Sequence, residues 1–482
     1  MTYNVSPVVT GFEICGNRLG LRFEKCDILP CSRFDFCDII WVMYRSALEE
    51  LKAWKEKPGR LPLVLLGARQ VGKTWLLKEF GRVCFEDVCY VNFEETDSLK
   101  GIFDGEISPE RIIGYLSSFH GKKIECGRTL IIFDEVQECR RALTSLKYFA
   151  ENEKKYDICC AGSLLGVTLH EGTSFPVGKV DFLRIEPLSF REFLLANGES
   201  LLVESLEEHF SETSPEFERN RLLDYIKKYF IIGGMPRVVQ NWVDEEDFSS
   251  VTKIQAEILE SYRNNFSKHA PKTMVPKIHH VWDSIPSQLA KPNKKFVYGL
   301  AKEGARAREY EDALLWLKDS GLIRKVSLVS GGRLPLKAYE DLKAFKIYLL
   351  DLGLLRTMCE IDSSLIIDDE RIFSEFNGSL TEQFVLQELS AQKIAGSIYY
   401  WSEGATSEVD FIFSYRNMIV PVEAKAGLSV HAQSLKVFRG KYAPKVAVRT
   451  SLRGFRFDAG LLNLPLYSLF NLKNILGTVQ QA

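Results

Sequence analysis

Residues 65–77 read LLGARQVGKTWLL, which sets Gly67, Gly72, Lys73 and Thr74 in the spacing G-x-x-x-x-G-K-[ST]. Glycines there keep side chains out of a loop whose backbone N–H groups can wrap phosphate oxygens. The lysine reaches β and γ phosphates, and the hydroxyl beside it can ligate Mg²⁺. The loop follows the apolar run LPLVLL and opens the helical stretch TWLLKEFGR, so a helix N-terminus also faces the anion. The expected nucleotide contacts are Gly67, Ala68, Arg69, Gln70, Val71, Gly72, Lys73, Thr74 and Trp75.

A second stretch, TLIIFDEVQE, is an apolar strand ending in Asp134 and Glu135, and it resembles a Walker B segment. Asp134 would hold Mg²⁺ through water, and Glu135 would orient or deprotonate the attacking water. Paired acids favour hydrolysis over simple binding, and the lack of an N-K-x-D tetrad favours adenine over guanine. A third strand, DICCAGS, ends in Ser163, placed to touch the γ-phosphate or the water; its alternative role is an ordinary helix N-cap.

Near the end, SLTEQFVLQEL carries Glu382 on a helix, and SEVDFIFSYRNMIVPVEAKAG reads as a hairpin turning at Arg416 and Asn417. Asp410 lies on its first strand, and period-two alternation sends Glu423 and Lys425 to one face of the second. This set resembles the PD-(D/E)XK nuclease core. Asp410 and Glu423 would hold Mg²⁺, Lys425 would stabilise or activate water, and Glu382 would support the metal from the helix. A lone Glu-x-Lys arises about twice by chance in a chain of this size, so the hairpin and the upstream acids carry the weight. The competing role is a charge pair on a sheet face.

These residues need a scaffold. A chain of 482 residues is too long for one ordinary core and should divide into several domains. Hydrophobic residues at 46% and charged residues at 26% describe a globular protein, and a formal charge of −2 leaves any nucleic-acid contact to a local patch. Eleven cysteines without a repeated C-x-x-C pair read as reduced and buried. Cys26, Cys31 and Cys37 lack a fourth ligand at finger spacing. With no apolar run near the length of a bilayer span and no signal-peptide layout, a cytoplasmic location is expected.

From Leu61, apolar strands alternate with amphipathic helices, which predicts an α/β domain with a parallel sheet covered on both faces. The expected organisation is an N-terminal extension over 1–42, with Met43 as a candidate start, and a nucleotide domain over 43–198. A helical lid over 199–268, a winged helix over 269–371 and a nuclease-like α/β domain over 372–482 follow. In the winged helix Arg306, Arg308, Lys318, Arg324 and Lys325 are the candidate phosphate contacts.

The segments GARQVGKTWLL, LIIFDEVQE, AGSLLG, FPVGKVDFLRIEPLSFREFL and GGMPRVV occur in this order. Together they resemble a family of bacterial and archaeal AAA-type ATPases related to the STAND class, whose members carry a C-terminal nuclease-like domain of unknown function. The likeness covers Met43 to Leu472. It implies ATP and Mg²⁺ as cofactors and a nucleotide-driven switch coupled to a DNA-binding, nuclease-like half. The family commonly has arginine where Lys179 stands, which leaves Arg184 as the alternative finger. The match at GGMPRVV implies that Gly234, Met235 and Pro236 lie near adenine, with Arg237 as a phosphate sensor. ATP and ADP are the expected ligands, DNA and a second copy of the chain the further candidate partners, and no membrane. Two other readings stand beside this one: an ATP-regulated, Mg²⁺-dependent DNA endonuclease, and a signalling scaffold that holds ATP without hydrolysing it.

Overall fold

The computed structural model describes residues 43–152, 155–163, 165–168, 178–210, 214–368, 377–404, 407–427 and 432–481. The extension 1–42, with Cys26, Cys31 and Cys37, lies outside them. The described chain from Met43 is one compact unit.

Its first part alternates α1 (Ala47–Glu56), β1 (Leu63–Leu66), α2 (Lys73–Cys84), β2 (Asp87–Asn92), α3 (Pro109–His120), β3 (Thr129–Asp134), α4 (Arg140–Glu151), β4 (Asp157–Ala161), α5 (Leu165–Thr168), β5 (Asp181–Arg184) and α6 (Phe190–Ala196). The five strands are parallel, in the order β2-β3-β4-β1-β5. Strand alternation divides their side chains between two cores. Leu63, Leu65, Leu130, Ile132, Cys159 and Ala161 enter one core, while Val64, Ile131, Phe133, Ile158 and Cys160 enter the other. The adjacent cysteines therefore point to opposite faces as small apolar side chains, and burial pushes both thiols up.

Four helices follow: α7 (Ser200–Glu208), α8 (Glu216–Ile232), α9 (Pro236–Glu245) and α10 (Phe248–His269). Next come α11 (Val275–Leu289), α12 (Tyr298–Ala301), α13 (Ala307–Asp319), and the strands β6 (Ile323–Val329) and β7 (Glu340–Leu349). Then come α14 (Leu352–Met358), α15 (Ser363–Asp368), α16 (Asn377–Ala391), β8 (Ile398–Glu403), β9 (Ser407–Tyr415), β10 (Met418–Ala424), α17 (Gln433–Tyr442), β11 (Ala447–Ser451), β12 (Arg456–Asp458), β13 (Leu461–Pro465) and α18 (Leu472–Gln481).

One relationship departs from the expected division at residue 371. The antiparallel pair β6–β7 does not stand alone as a wing, because Ser327, Leu328 and Val329 pair in parallel with Tyr399, Tyr400 and Trp401. A single eight-stranded mixed sheet results, ordered β12-β13-β11-β10-β9-β8-β6-β7. An isolated two-stranded pair is marginal in water, and joining it to the larger sheet covers its open edge. The hairpin turn between β9 and β10 falls at Arg416 and Asn417, both with positive φ (41° and 66°), as a two-residue turn of primed type requires.

Candidate functional site

The loop after β1 takes a shape that its glycines permit. Gly67 has φ +147° and a Cβ there would lie 2.4 Å from the Ile185 carbonyl, while Gly72, with φ +90°, caps α2. Gln70 also takes positive φ, at 66°. Lys73 is buried, and its Nζ donates to the Gly67 and Ala68 carbonyls at 3.0 and 2.7 Å. Burial, opposed by the charges of Glu135 and Asp134, lowers its pKa to about 8. The cation thus sits among its own loop's carbonyls beside two acids, the environment of a group that gains by meeting a polyanion. Val71 is buried in the core below, whereas Trp75 is 37% exposed on α2.

Parallel register brings the ends of β2 and β3 together, and three groups converge on the Asp134 side chain. Its Oδ2 accepts from Thr74 Oγ1 at 2.7 Å and from the Tyr90 hydroxyl at 2.9 Å, and its Oδ1 accepts from the Glu135 N–H at 3.0 Å. A hydroxyl and a carboxylate this close are hard oxygen donors of the kind Mg²⁺ takes, so the pair fits the ion that the motif implies. Glu135 turns away from the strand in the left-handed region, at φ 46° and ψ 44°. Its Oε2 accepts from Gln137 Nε2 at 2.6 Å and from Ser163 Oγ at 3.2 Å. Ser163, at the end of β4, therefore faces the acid.

Residues far along the chain touch the same loop. The Tyr262 hydroxyl on α10 donates to the Arg69 carbonyl at 2.8 Å, Gln70 Nε2 donates to Ser261 Oγ at 3.3 Å, and Arg69 reaches Asn265. Gly321, between α13 and β6, lies so near that a Cβ would come within 3.1 Å of the Ala68 nitrogen. A small pocket lined by Arg69, Ser163, Tyr262, Asn265, Trp316, Ser320 and Leu322 marks this seam. On the other side Arg45 donates to the Val71 and Glu186 carbonyls at 3.1 and 2.6 Å. Sequence reasoning passed over Arg45, Tyr90 and Tyr262 because none belongs to a short motif, and over Gln137 because only the two acids of TLIIFDEVQE were read as chemistry.

The other expected residues are placed as follows. Pro236 comes against the loop, 3.5 Å from where a Gly72 Cβ would stand. Gly234 N–H donates to Asp351 Oδ2 at 2.7 Å and Met235 is buried, so this part of GGMP packs against the start of α14. Arg237 pairs with Glu257 on the surface at 2.7 Å. Lys179 pairs with Glu151 at 3.0 Å, and Arg184 is exposed on edge strand β5, level with Leu66. Arg306, Arg308 and Lys318 are exposed. Arg324, expected at a phosphate, instead joins Glu186 and donates to the Leu350 carbonyl, and Lys325 lies over the Phe345 ring.

In the C-terminal sheet, cross-strand register running from Met418↔Tyr415 to Val422↔Phe411 carries Asp410 toward Glu423. The Ala424 N–H donates to Asp410 Oδ2 at 2.8 Å. Lys425 Nζ meets Glu423 Oε1 at 2.8 Å, so the expected shared face is present. Burial, with the charges of Glu382 and Glu423, holds the Asp410 carboxyl well above its usual range, and burial also raises Glu423. The expected metal support from Glu382 gives way to a buried ion pair. Its oxygens take Lys294 Nζ at 2.6 Å and the Tyr348 hydroxyl at 2.7 Å, with Lys346 Nζ at 3.6 Å. Burial alone would raise Glu382, but these cations and the phenol bring it down to about 2. Among the described residues no group of three or more His, Cys, Asp or Glu is arranged to hold a metal ion. The donor set in this arrangement does not fit Mg²⁺.

Among the described residues no helix is long and apolar enough to cross a membrane. Comparison with protein families matches residues 59–194 to the family described as AAA domain, 223–365 to a domain of unknown function (DUF8612), and 377–469 to another (DUF4143). No curated protein matches the chain. Similar solved structures include the Walker-type ATPase of Pyrococcus abyssi, at 15% identity and TM-score 0.41 over 66% of this chain and 96% of that one. The Aeropyrum pernix Orc1 protein in complex with DNA aligns at 13% identity and TM-score 0.26 over 65% and 90%. A signal transduction ATPase with numerous domains from Pyrococcus horikoshii aligns at 14% identity and TM-score 0.27 over 73% and 47%. The motif, the parallel sheet that presents it and the family match over the same residues agree that residues 59–194 form an AAA-type P-loop ATPase domain.

Proposed function

We propose that this protein is a Mg²⁺-dependent ATPase whose nucleotide state moves its C-terminal half. The observation that carries the reading is the meeting of Thr74 Oγ1 and Asp134 Oδ2 at 2.7 Å, with Glu135 as the next residue beyond the strand. Lys73 and the loop N–H groups would hold the phosphates, and Pro236 borders the loop. Thr74 and Asp134 would hold Mg²⁺, which would supply neutralisation of the phosphate charge. Glu135 takes a proton from water as the water oxygen bonds to the γ-phosphorus. The bond from phosphorus to the β–γ bridging oxygen breaks, its electron pair leaves with ADP, and inorganic phosphate is the second product.

Coupling is supported by the direct contacts of Tyr262, Ser261, Asn265 and Gly321 with residues 68–70. Any displacement of the loop by phosphate is felt at α10 and at the turn into β6. We assign the module from α11 to β7 a winged-helix order, with its strands annexed to a nuclease-like sheet, and DNA as the partner to test. Arg306, Arg308 and Lys318 are among its exposed cations.

The test is ATP turnover by wild type, Lys73→Ala, Glu135→Gln and Asp410→Ala, with and without double-stranded DNA. Loss in the first two variants, persistence in Asp410→Ala and a response to DNA are expected. Tight ATP binding without turnover under every condition would replace the reading with a non-hydrolysing scaffold. DNA cleavage lost in Asp410→Ala would instead establish the ATP-regulated endonuclease.

A further inference from the structure

Glu135 is gripped on one side only. Its Oε2 takes both described donors, Gln137 Nε2 at 2.6 Å and Ser163 Oγ at 3.2 Å. The orientation of the Gln137 amide follows from chemistry, since an ionised carboxylate only accepts and must face the NH₂ end. Its carbonyl Oε1 therefore points elsewhere, and there it is buried and meets no donor among the described residues. Leaving a buried acceptor without a donor is unfavourable, so the amide is held in this orientation by its bond to Glu135 and not by its oxygen.

The fold makes room for that oxygen. A Cβ on Gly162 would stand 2.2 Å from Gln137 Oε1. Only glycine at the end of β4 lets the amide lie against Glu135, and the next residue, Ser163, supplies the second donor to the same carboxylate oxygen. Two segments, the turn after β3 and the end of β4, thus combine to hold one acid.

We propose that Gln137 is a positioning residue for hydrolysis, holding Glu135 through its amide nitrogen while Gly162 gives its amide oxygen the space to lie behind. A carboxylate held at one oxygen keeps the other aimed at the water whose proton it takes in the transfer already described. The proposal rests on the hydrolysis reading above. A simpler role, in which Gln137 merely steadies the turn after β3, predicts a loss of stability without a selective loss in the chemical step.

The experiment compares wild type, Gln137→Ala, Gln137→Glu and Gly162→Ala. It reads kcat and KM for MgATP, affinity for ADP, affinity for ADP with aluminium fluoride as a transition-state mimic, and thermal midpoint. Gln137→Ala is expected to lower kcat roughly 10- to 100-fold, with KM and ADP affinity unchanged and affinity for the mimic weakened by a similar factor. Gln137→Glu keeps the shape but sets a like charge against Glu135, and is expected to lose at least as much. Gly162→Ala, which displaces the amide without removing it, is expected to follow Gln137→Ala. Unchanged kcat and mimic affinity in Gln137→Ala would overturn the proposal, as would a fall in thermal midpoint that accounts for all lost activity. A wild type that binds ATP and never turns it over sinks the hydrolysis reading itself, an outcome visible before any Gln137 variant is made.

Discussion

The Tyr262 hydroxyl, on a helix 193 residues away in sequence, donates to the Arg69 carbonyl inside the phosphate loop over 2.8 Å. Its ring stacks edge-on against Trp282, with centroids 6.1 Å apart, so the hydroxyl can be removed without disturbing the packing. Tyr262→Phe should cost about 1 kcal/mol of stability and speed amide exchange in residues 68–72. Hydrogen exchange followed by mass spectrometry checks this. Unchanged exchange in the loop would mean that α10 does not restrain it.

The glycine that opens the loop is constrained twice, by φ +147° and by the Ile185 carbonyl 2.4 Å from where a Cβ would stand. Gly67→Ala must shift the loop away from β5. ATP affinity is expected to fall at least tenfold while the rest of the fold persists, measured by calorimetry alongside circular dichroism. Retained affinity would show that this backbone shape is not needed for phosphate.

Lys346 is fully buried, 2.6 Å from Glu408 and 3.6 Å from Glu382. Burial opposes its charge, but Glu382, Glu408 and Asp410 together raise its pKa. Lys346→Met leaves those acids without their shared cation and should cost about 3–5 kcal/mol. Adding Glu382→Gln should return part of that loss. A double variant as unstable as the sum of the two singles would show that the pair does not interact.

Glu388 on α16 accepts the Phe190 N–H at 2.7 Å, and its other oxygen is buried with no described donor. Burial pushes its pKa up, the Phe190 N–H pulls it back, and the Glu192 charge adds to the rise, leaving it at about 8 against 4.5 in the unfolded chain. Between those values the folded state holds the extra proton, so stability falls as pH rises through the window and levels off above it. Glu388→Gln removes this slope. The variant should lie close to wild type near about pH 5 and exceed it by roughly 4 kcal/mol near about pH 9. Parallel pH profiles of thermal midpoint for the two proteins would refute the assignment.

The parts legible in the sequence are those whose cause is local. Gly67, Gly72, Lys73 and Thr74 fall within eight residues, and their loop must follow a strand and open a helix. The apolar runs that became β1, β3 and β4 are buried on both faces, while edge strand β2 alternates buried with half-buried residues. Arg416 and Asn417 formed the turn expected between two alternating runs. By contrast, Glu382, Arg324 and Lys325 were legible only as charges. Nothing near them in the chain shows that Lys294 and Lys346 neutralise the first, that Glu186 pairs with the second, or that Phe345 covers the third.

The sequence by itself determined the phosphate loop, the acids at the end of β3 and the hairpin bearing Glu423 and Lys425, because short-range spacing and period-two alternation set them. Tertiary structure alone decided that β6 joins β8, that Tyr262 and Gly321 lie on the loop, and that Ser163 reaches Glu135 while Gly162 lies beside Gln137. An apolar or polar pattern states which face of an element is buried. Which distant element buries it depends on the summed packing of the whole chain, and no local spacing encodes that choice.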